Sequence, residues 1–160
     1  MPRMKRLVVA AIAVLGLAIV PVALAVIDGT YRGRSSQGFR VAAQSTDSQV
    51  QRVNIPWRAT NCTPDDDYAV RARRFVYRND DKTPINQSGS RFGAGRRVSL
   101  KLENGGRAVV SARMSGRMTD HDKIAGTQKI SVRTKDDAGE HRCTAFMRWT
   151  AKLVPPPKAP

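Results

Sequence analysis

The sequence predicts an all-β domain: an antiparallel β-sandwich, with a barrel as the alternative, of about eight to nine strands, preceded by an N-terminal signal helix. Three observations carry this expectation. Past the leader no segment holds a helical period, and short runs alternate apolar with polar residues. Clusters of Gly, Asn, Asp and Ser separate those runs, as hairpin turns require. The last run places Cys143, Ala145, Met147, Trp149, Ala151 and Leu153 on one face of a single long strand.

Arg3, Lys5 and Arg6 precede an unbroken apolar stretch from Leu7, and Pro21 and Ala23-Leu24-Ala25 close it, the layout of a signal peptide cut after Ala25. Leu7 to Ile27 is 21 residues, long enough to span a bilayer of ~30 Å as an uncleaved anchor. The Ala-x-Ala pattern and the proline favour cleavage. The expected organisation is therefore a signal peptide over residues 1–25, one β domain over 26–153 and a proline-rich tail over 154–160. Cleavage would leave 135 of the 160 residues and lower the net charge from +15 to +12, because the leader carries three basic residues and no acid. Charge of that size attracts polyanions and aids solubility; it specifies neither fold nor ligand.

"DGTYRGRS" and "GFRVAAQS" flank an "SSQG" turn and read as an opening hairpin. "QRVNIPWRA" follows as a strand with Val53, Ile55, Trp57 and Ala59 on one face, and Pro56 demands an edge or a bulge there. "YAVRARRFVYR" reads as another strand, with arginines and apolar residues mixed on both faces. "RRVSLKL-ENGG-RAVVSARMSGRM" is the clearest hairpin, its connector supplying residues suited to positive φ. "GTQKISVRT" and the strand from Cys143 complete the set, before the extended tail "VPPPKAP".

Cys62 and Cys143 are the only two cysteines of the chain. In an exported protein two cysteines read as one disulfide. Zinc lacks the ligand spacing, and His141 two residues from Cys143 on a strand does not make a nucleophile–base pair. Trp149 shares strand parity with Cys143, whereas Trp57 does not share it with Cys62, so a bulge or turn-out is expected at Thr60-Asn61.

No G-x-S-x-G elbow, spaced calcium loop or metal cluster is present, and no cofactor is expected. Asp65–Asp67 and Asp120-His121-Asp122 read as solvated turns. Carboxylates such as Asp66 or Asp122 also keep open a small hydrolase acting on cell-wall or extracellular polymer. Arginines interleave with aromatics in "RARRFVYR", so Arg71, Arg73, Arg74 and Arg78, with Arg96 and Arg97, are the candidate polyanion-binding residues. Export argues against nucleic acid as partner and for anionic envelope polymers or lipid headgroups. The bland alternative is that these arginines cover strand edges.

"GTYRGRSSQG" (residues 29 to 38) and "RWTAK" (148 to 152) resemble the two ends of a group of small exported bacterial proteins. These open G-T-[YW]-x-G-x-[ST]-S-Q-G and close W-T-A-K after a cysteine. The resemblance implies a bacterial host, export and an all-β fold, and transfers no catalytic residue. The resulting expectation is a secreted or envelope-associated binding or structural module, non-catalytic and without a membrane span once the leader is removed.

Overall fold

The computed structural model describes residues 25–81, 84–101, 106–137 and 139–155. The expected signal segment, apart from Ala25, lies outside the described residues, as do the Asn104-Gly105 part of the hairpin connector and the end of the proline-rich tail. Among the described residues the chain forms β1 (Gly29–Ser35), β2 (Arg40–Thr46), β3 (Gln49–Asn54), β4 (Trp57–Ala59), β5 (Asn61–Thr63) and β6 (Val70–Ala72). It continues with β7 (Val76–Arg78), β8 (Asn86–Ser88), β9 (Arg91–Lys101), β10 (Arg107–Asp120), β11 (Lys123–Asp136) and β12 (Gly139–Leu153). The strand count exceeds the expected eight or nine because two of the expected strands are each broken into two short ones and the three-residue strands β5 and β8 are added.

One antiparallel sheet runs in the order β7-β3-β2-β1-β12-β11-β10-β9-β8 and curls into a half-barrel, with β5 added alongside β12. Strands β4 and β6 form a separate two-stranded ladder. The single curled sheet is half of a barrel, nearer to the alternative expectation than to the two packed sheets of the sandwich put first. Its two ends are bridged by side chains instead of a ladder. Arg96 on β9 donates to the Val76 carbonyl on β7 and lies over the Phe75 ring, 5.6 Å from its centroid. Gln87 on β8 accepts from the Val50 amide at 2.9 Å and donates to the Ser48 carbonyl at 2.7 Å, imitating a strand partner for β3.

The first and last strands lie side by side, with Tyr31 opposite Leu153 and Ser35 opposite Trp149. The two terminal motifs are thus one structural unit. Gly33 is required there because a β carbon would sit 2.6 Å from the Ala151 Cα and meet the Thr150 carbonyl. Beyond it, Ser36 donates its amide to the Arg148 carbonyl at 2.7 Å, and its hydroxyl accepts from the Arg148 amide at 3.2 Å. The Gln37 carboxamide grips the Arg58 main chain from both sides, donating to its carbonyl at 2.7 Å and accepting from its amide at 2.9 Å. Gly38 turns the chain at φ +80°.

Strands β9 to β12 are the long wall of the sheet, and their inner face is mostly apolar: Ala108, Val110, Ala112 and Met114 on β10, Ile130 and Val132 on β11, and Cys143 and Met147 on β12, with Gln128, Thr134 and His141 the buried polar side chains among them. Burying such residues supplies most of the stabilisation, about 25 cal/mol per Å² of apolar surface. Toward one end of this face one register row reads Phe92, Gly116, Gly126, Trp149. A β carbon on Gly126 would stand 2.6 Å from the Trp149 ring, and one on Gly116 would strike Phe92. The bare glycines leave the space in which the two rings meet, 6.2 Å apart.

Trp57 and Phe75 pack edge to face at 6.0 Å on the opposite side of the core. Between the two sides Gln128 donates to the Tyr77 hydroxyl at 2.9 Å, and burial holds the Tyr77 phenol well above its ordinary value against that hydrogen bond. Tyr31 is pushed up more modestly by burial, with its hydroxyl donating to the Ile27 carbonyl at 2.7 Å.

Candidate functional site

The two cysteines face each other directly on β5 and β12, with Cα atoms 4.0 Å and sulfurs 2.04 Å apart. Both are buried, so they are structural and the sulfurs are spent on one another. Closing 81 residues of chain contributes roughly 4.5 kcal/mol by loop entropy. A buried pair at this distance is compatible with an oxidising, extracellular setting. Thr60 and Asn61 are both exposed, which breaks the alternation between Ala59 and Cys62. That is where the chain leaves the β4–β6 ladder to join β12, at the position where the parity mismatch required a turn-out. His141, at 3% exposure, is stacked on Tyr68 with centroids 3.9 Å apart.

The carboxylates considered for hydrolysis are not brought together. Asp66 is exposed in the loop after β5, beside the start of β12, and Asp122 is exposed in the β10–β11 turn, beside its end. The register runs from Arg142 to Lys152 between them, about 30 Å at a strand's rise. Paired carboxylates that cleave glycosides stand about 5 to 10 Å apart. Among the described residues no group of three or more metal-ligating side chains is gathered either.

The six arginines singled out from the sequence fall in different places. Arg71 is exposed on β6 opposite Arg58, and Arg73 and Arg74 are exposed in the break before β7. Arg78 is exposed at the β7 edge opposite Arg52. Arg96 points inward and bridges the sheet ends, while its neighbour Arg97 points outward. A run of adjacent arginines on a strand is divided between faces by the pleat.

A larger basic surface emerges from parity. Every Lys and Arg of β9 to β12 except Arg96 lies on the outward positions of the sheet. Register then stacks them across strands: Arg91 with Arg117, Lys101 with Arg107 and Lys135, Arg133 with Arg142, Lys123 with Lys152. Arg32, Arg34 and Arg40 extend the same face over β1 and β2. Glu140 is set among them and pairs with Arg142 at 3.9 Å, and Asp120 stands opposite Lys123 at the end of β10. Like charges directly opposite destabilise a sheet, so this arrangement costs the fold something that burial must offset.

Between the long side chains, outward positions on the same strands are small: Gly93, Gly95, Ser111, Ser115, Ala125 and Thr127. The face is therefore hollowed. A depression of about 490 Å³ is walled by Arg91, Arg117 and Arg148 over Ser115 and Thr127, whose hydroxyls are 3.0 Å apart. It shares Ser115 and Thr127 with a second of about 470 Å³ at Arg113. That one shares Gly95, Arg113 and Lys129 with a third of about 430 Å³ at Arg97. The third shares Lys129 and Ile130 with a notch of about 590 Å³ beside Phe146. Shared walls make these one track that runs along the wall from the Arg91–Arg117 end to Arg97 and turns onto β12 at Phe146, open to solvent and bordered by cations. Its chemistry is that of a surface for an extended anion: charge on both banks, hydroxyls on the floor. Compared with family models, curated proteins and solved structures, the chain matches none.

Proposed function

We propose that the protein is an exported, non-catalytic binding module of the bacterial cell envelope or its exterior, and that the outward face of β9 to β12 holds a linear anionic polymer. The observation that carries this reading is the segregation of nearly all basic side chains of the wall to one hollowed face. A face built only to stay soluble gains nothing from stacking like charges in register, and mixed signs serve solubility better. A polymer with regularly spaced charges satisfies many of these groups at once and releases its counterions on doing so. The track is open and shallow, suited to a chain passing through and unsuited to enclosing a small substrate.

The test is elution of the full chain from an immobilised polyanion along a salt gradient. Retention falls steeply with salt for the native protein. Arg113→Ala/Arg117→Ala/Arg148→Ala elutes at markedly lower salt than Arg71→Ala/Arg73→Ala/Arg74→Ala. Equal loss in the two triple variants assigns binding to overall charge, and greater loss in the second moves the site to the β6–β7 region. Retention indifferent to salt rejects the reading altogether.

A further inference from the structure

We infer that the notch beside Phe146 is a sugar-ring subsite, which makes the polymer an acidic polysaccharide. This rests on the polyanion reading and narrows it. The notch exists because β12 has two partners on one side. Strand β5 covers Arg142–Thr144, β1 covers Trp149–Leu153, and the stretch between them has neither. Arg148 turns its amide and carbonyl toward that side, where Ser36 meets them. The period of two places the amide and carbonyl of Phe146 on the same side, facing the notch.

Phe146 is 53% exposed and stands on the outward face, opposite Lys129 on β11. A lone exposed aromatic needs no explanation in general. This one borders a hollow into which polar groups converge: Arg58 and Asn61 on one lip, Lys129 and Thr144 on the other. The Arg58 main chain is held there by its two bonds to Gln37, which fixes the backbone from which its side chain reaches the notch. An apolar platform with a few fixed polar groups is the make-up of a ligand site. The occupant must offer an apolar face, hydrogen-bonding groups at its rim and a negative charge. A pyranose ring bearing a carboxylate has all three: its C–H face lies on the phenyl π surface, its hydroxyls reach the Phe146 main chain and Asn61, and its carboxylate lies between Arg58 and Lys129. A plain phosphate polymer supplies the charge and nothing for Phe146.

The experiment measures binding of the full chain to polygalacturonate and to inorganic polyphosphate of similar charge, for native protein, Phe146→Ala and Phe146→Trp. Phe146→Ala weakens polygalacturonate binding by about tenfold, in line with the loss of one stacking contact. Polyphosphate binding changes less than about twofold, and Phe146→Trp restores the polysaccharide affinity. Phe146 points to solvent, so neither variant threatens the fold. Equal losses on both polymers, or no loss on either, overturn the subsite while leaving the polyanion face standing. Tighter, Phe146-dependent binding of single-stranded DNA overturns it in favour of a base-stacking site. Failure of the native chain to bind either polymer removes both readings together.

Discussion

Strands β9 to β12 run 11 to 15 residues and keep one alternation through most of their length. The segment from Ile55 to Arg78 makes four strands of three residues each. Both contribute a tryptophan to the core and both carry arginine, yet they are held differently. The wall is stabilised by its own ladder and by row upon row of inward side chains. The short segment has little ladder and depends on attachments: the disulfide at Cys62, Gln37 on Arg58, and Arg96 on Val76. Regular strands can leave one whole face to solvent because the other face alone supplies the core. Short, broken strands have no face to spare.

Substitutions that strike one region and not the other sharpen this contrast. Trp149→Ala removes the ring over Gly126 and carries the largest expected effect, a loss of about 3 to 5 kcal/mol in denaturant unfolding, with protection from hydrogen exchange lost across the wall. Replacing both cysteines by alanine costs about 2 to 5 kcal/mol. Exchange then rises first at Asn61–Thr63, with β10 and β11 still protected; uniform exposure would mean the two regions are a single unit.

Tyr77 links the two regions through Gln128, and its ionisation gives a gentler probe. Its phenol stays protonated in the fold while the unfolded chain titrates near 10.0, so stability is complete below that pH and falls as pH rises past it. In Tyr77→Phe the alkaline decline in melting temperature becomes shallower; an unchanged profile would place the decline elsewhere. Gln37→Ala loosens Arg58 at a cost of about 1 kcal/mol, read by chemical unfolding. Arg117→Ala and Arg148→Ala should change stability by less than about 0.5 kcal/mol, because both side chains are exposed and cover no core. A large loss from either would recast the outer face as structural.

The wall was legible from sequence because a period of two survives over many residues: the inward set from Cys143 to Leu153 and the hairpin of β9 and β10 fall where the alternation puts them. The opening hairpin was legible from its turn. The short segment was not. "QRVNIPWRA" keeps its face, with Val53, Ile55, Trp57 and Ala59 all buried, but breaks at Ile55-Pro56 into β3 and β4; "YAVRARRFVYR" breaks at Arg73-Arg74 into β6 and β7, which is why its faces were mixed. Pro56 and the mixed parity were the available signals. The bend at Thr60-Asn61 was readable because two cysteines and two tryptophans constrain each other's parity.

The candidate site was legible only in part. Adjacent arginines in "RARRFVYR" drew attention as a cluster, though the pleat and the break scatter them. The basic face lies in residues an even number of positions apart on consecutive strands, such as Arg113 and Arg117 on β10 with Lys129 and Arg133 on β11. Sorting charges by parity within the clear hairpins would have found half of it. Register between strands, which sets those rows side by side, comes only with the fold. The notch at Phe146 depends on β5 and β1 sharing one side of β12, a tertiary fact with no local mark.

The central claim is that one face of the wall is the polymer-binding surface. Titration of the isotopically labelled protein with polygalacturonate, followed by amide chemical shifts, tests it most directly. The account predicts the largest perturbations at Ser111, Ser115, Thr127, Ser131 and Phe146, vanishing at high salt. Perturbations centred on Arg71 to Arg78, or spread evenly over every exposed basic residue, would contradict it.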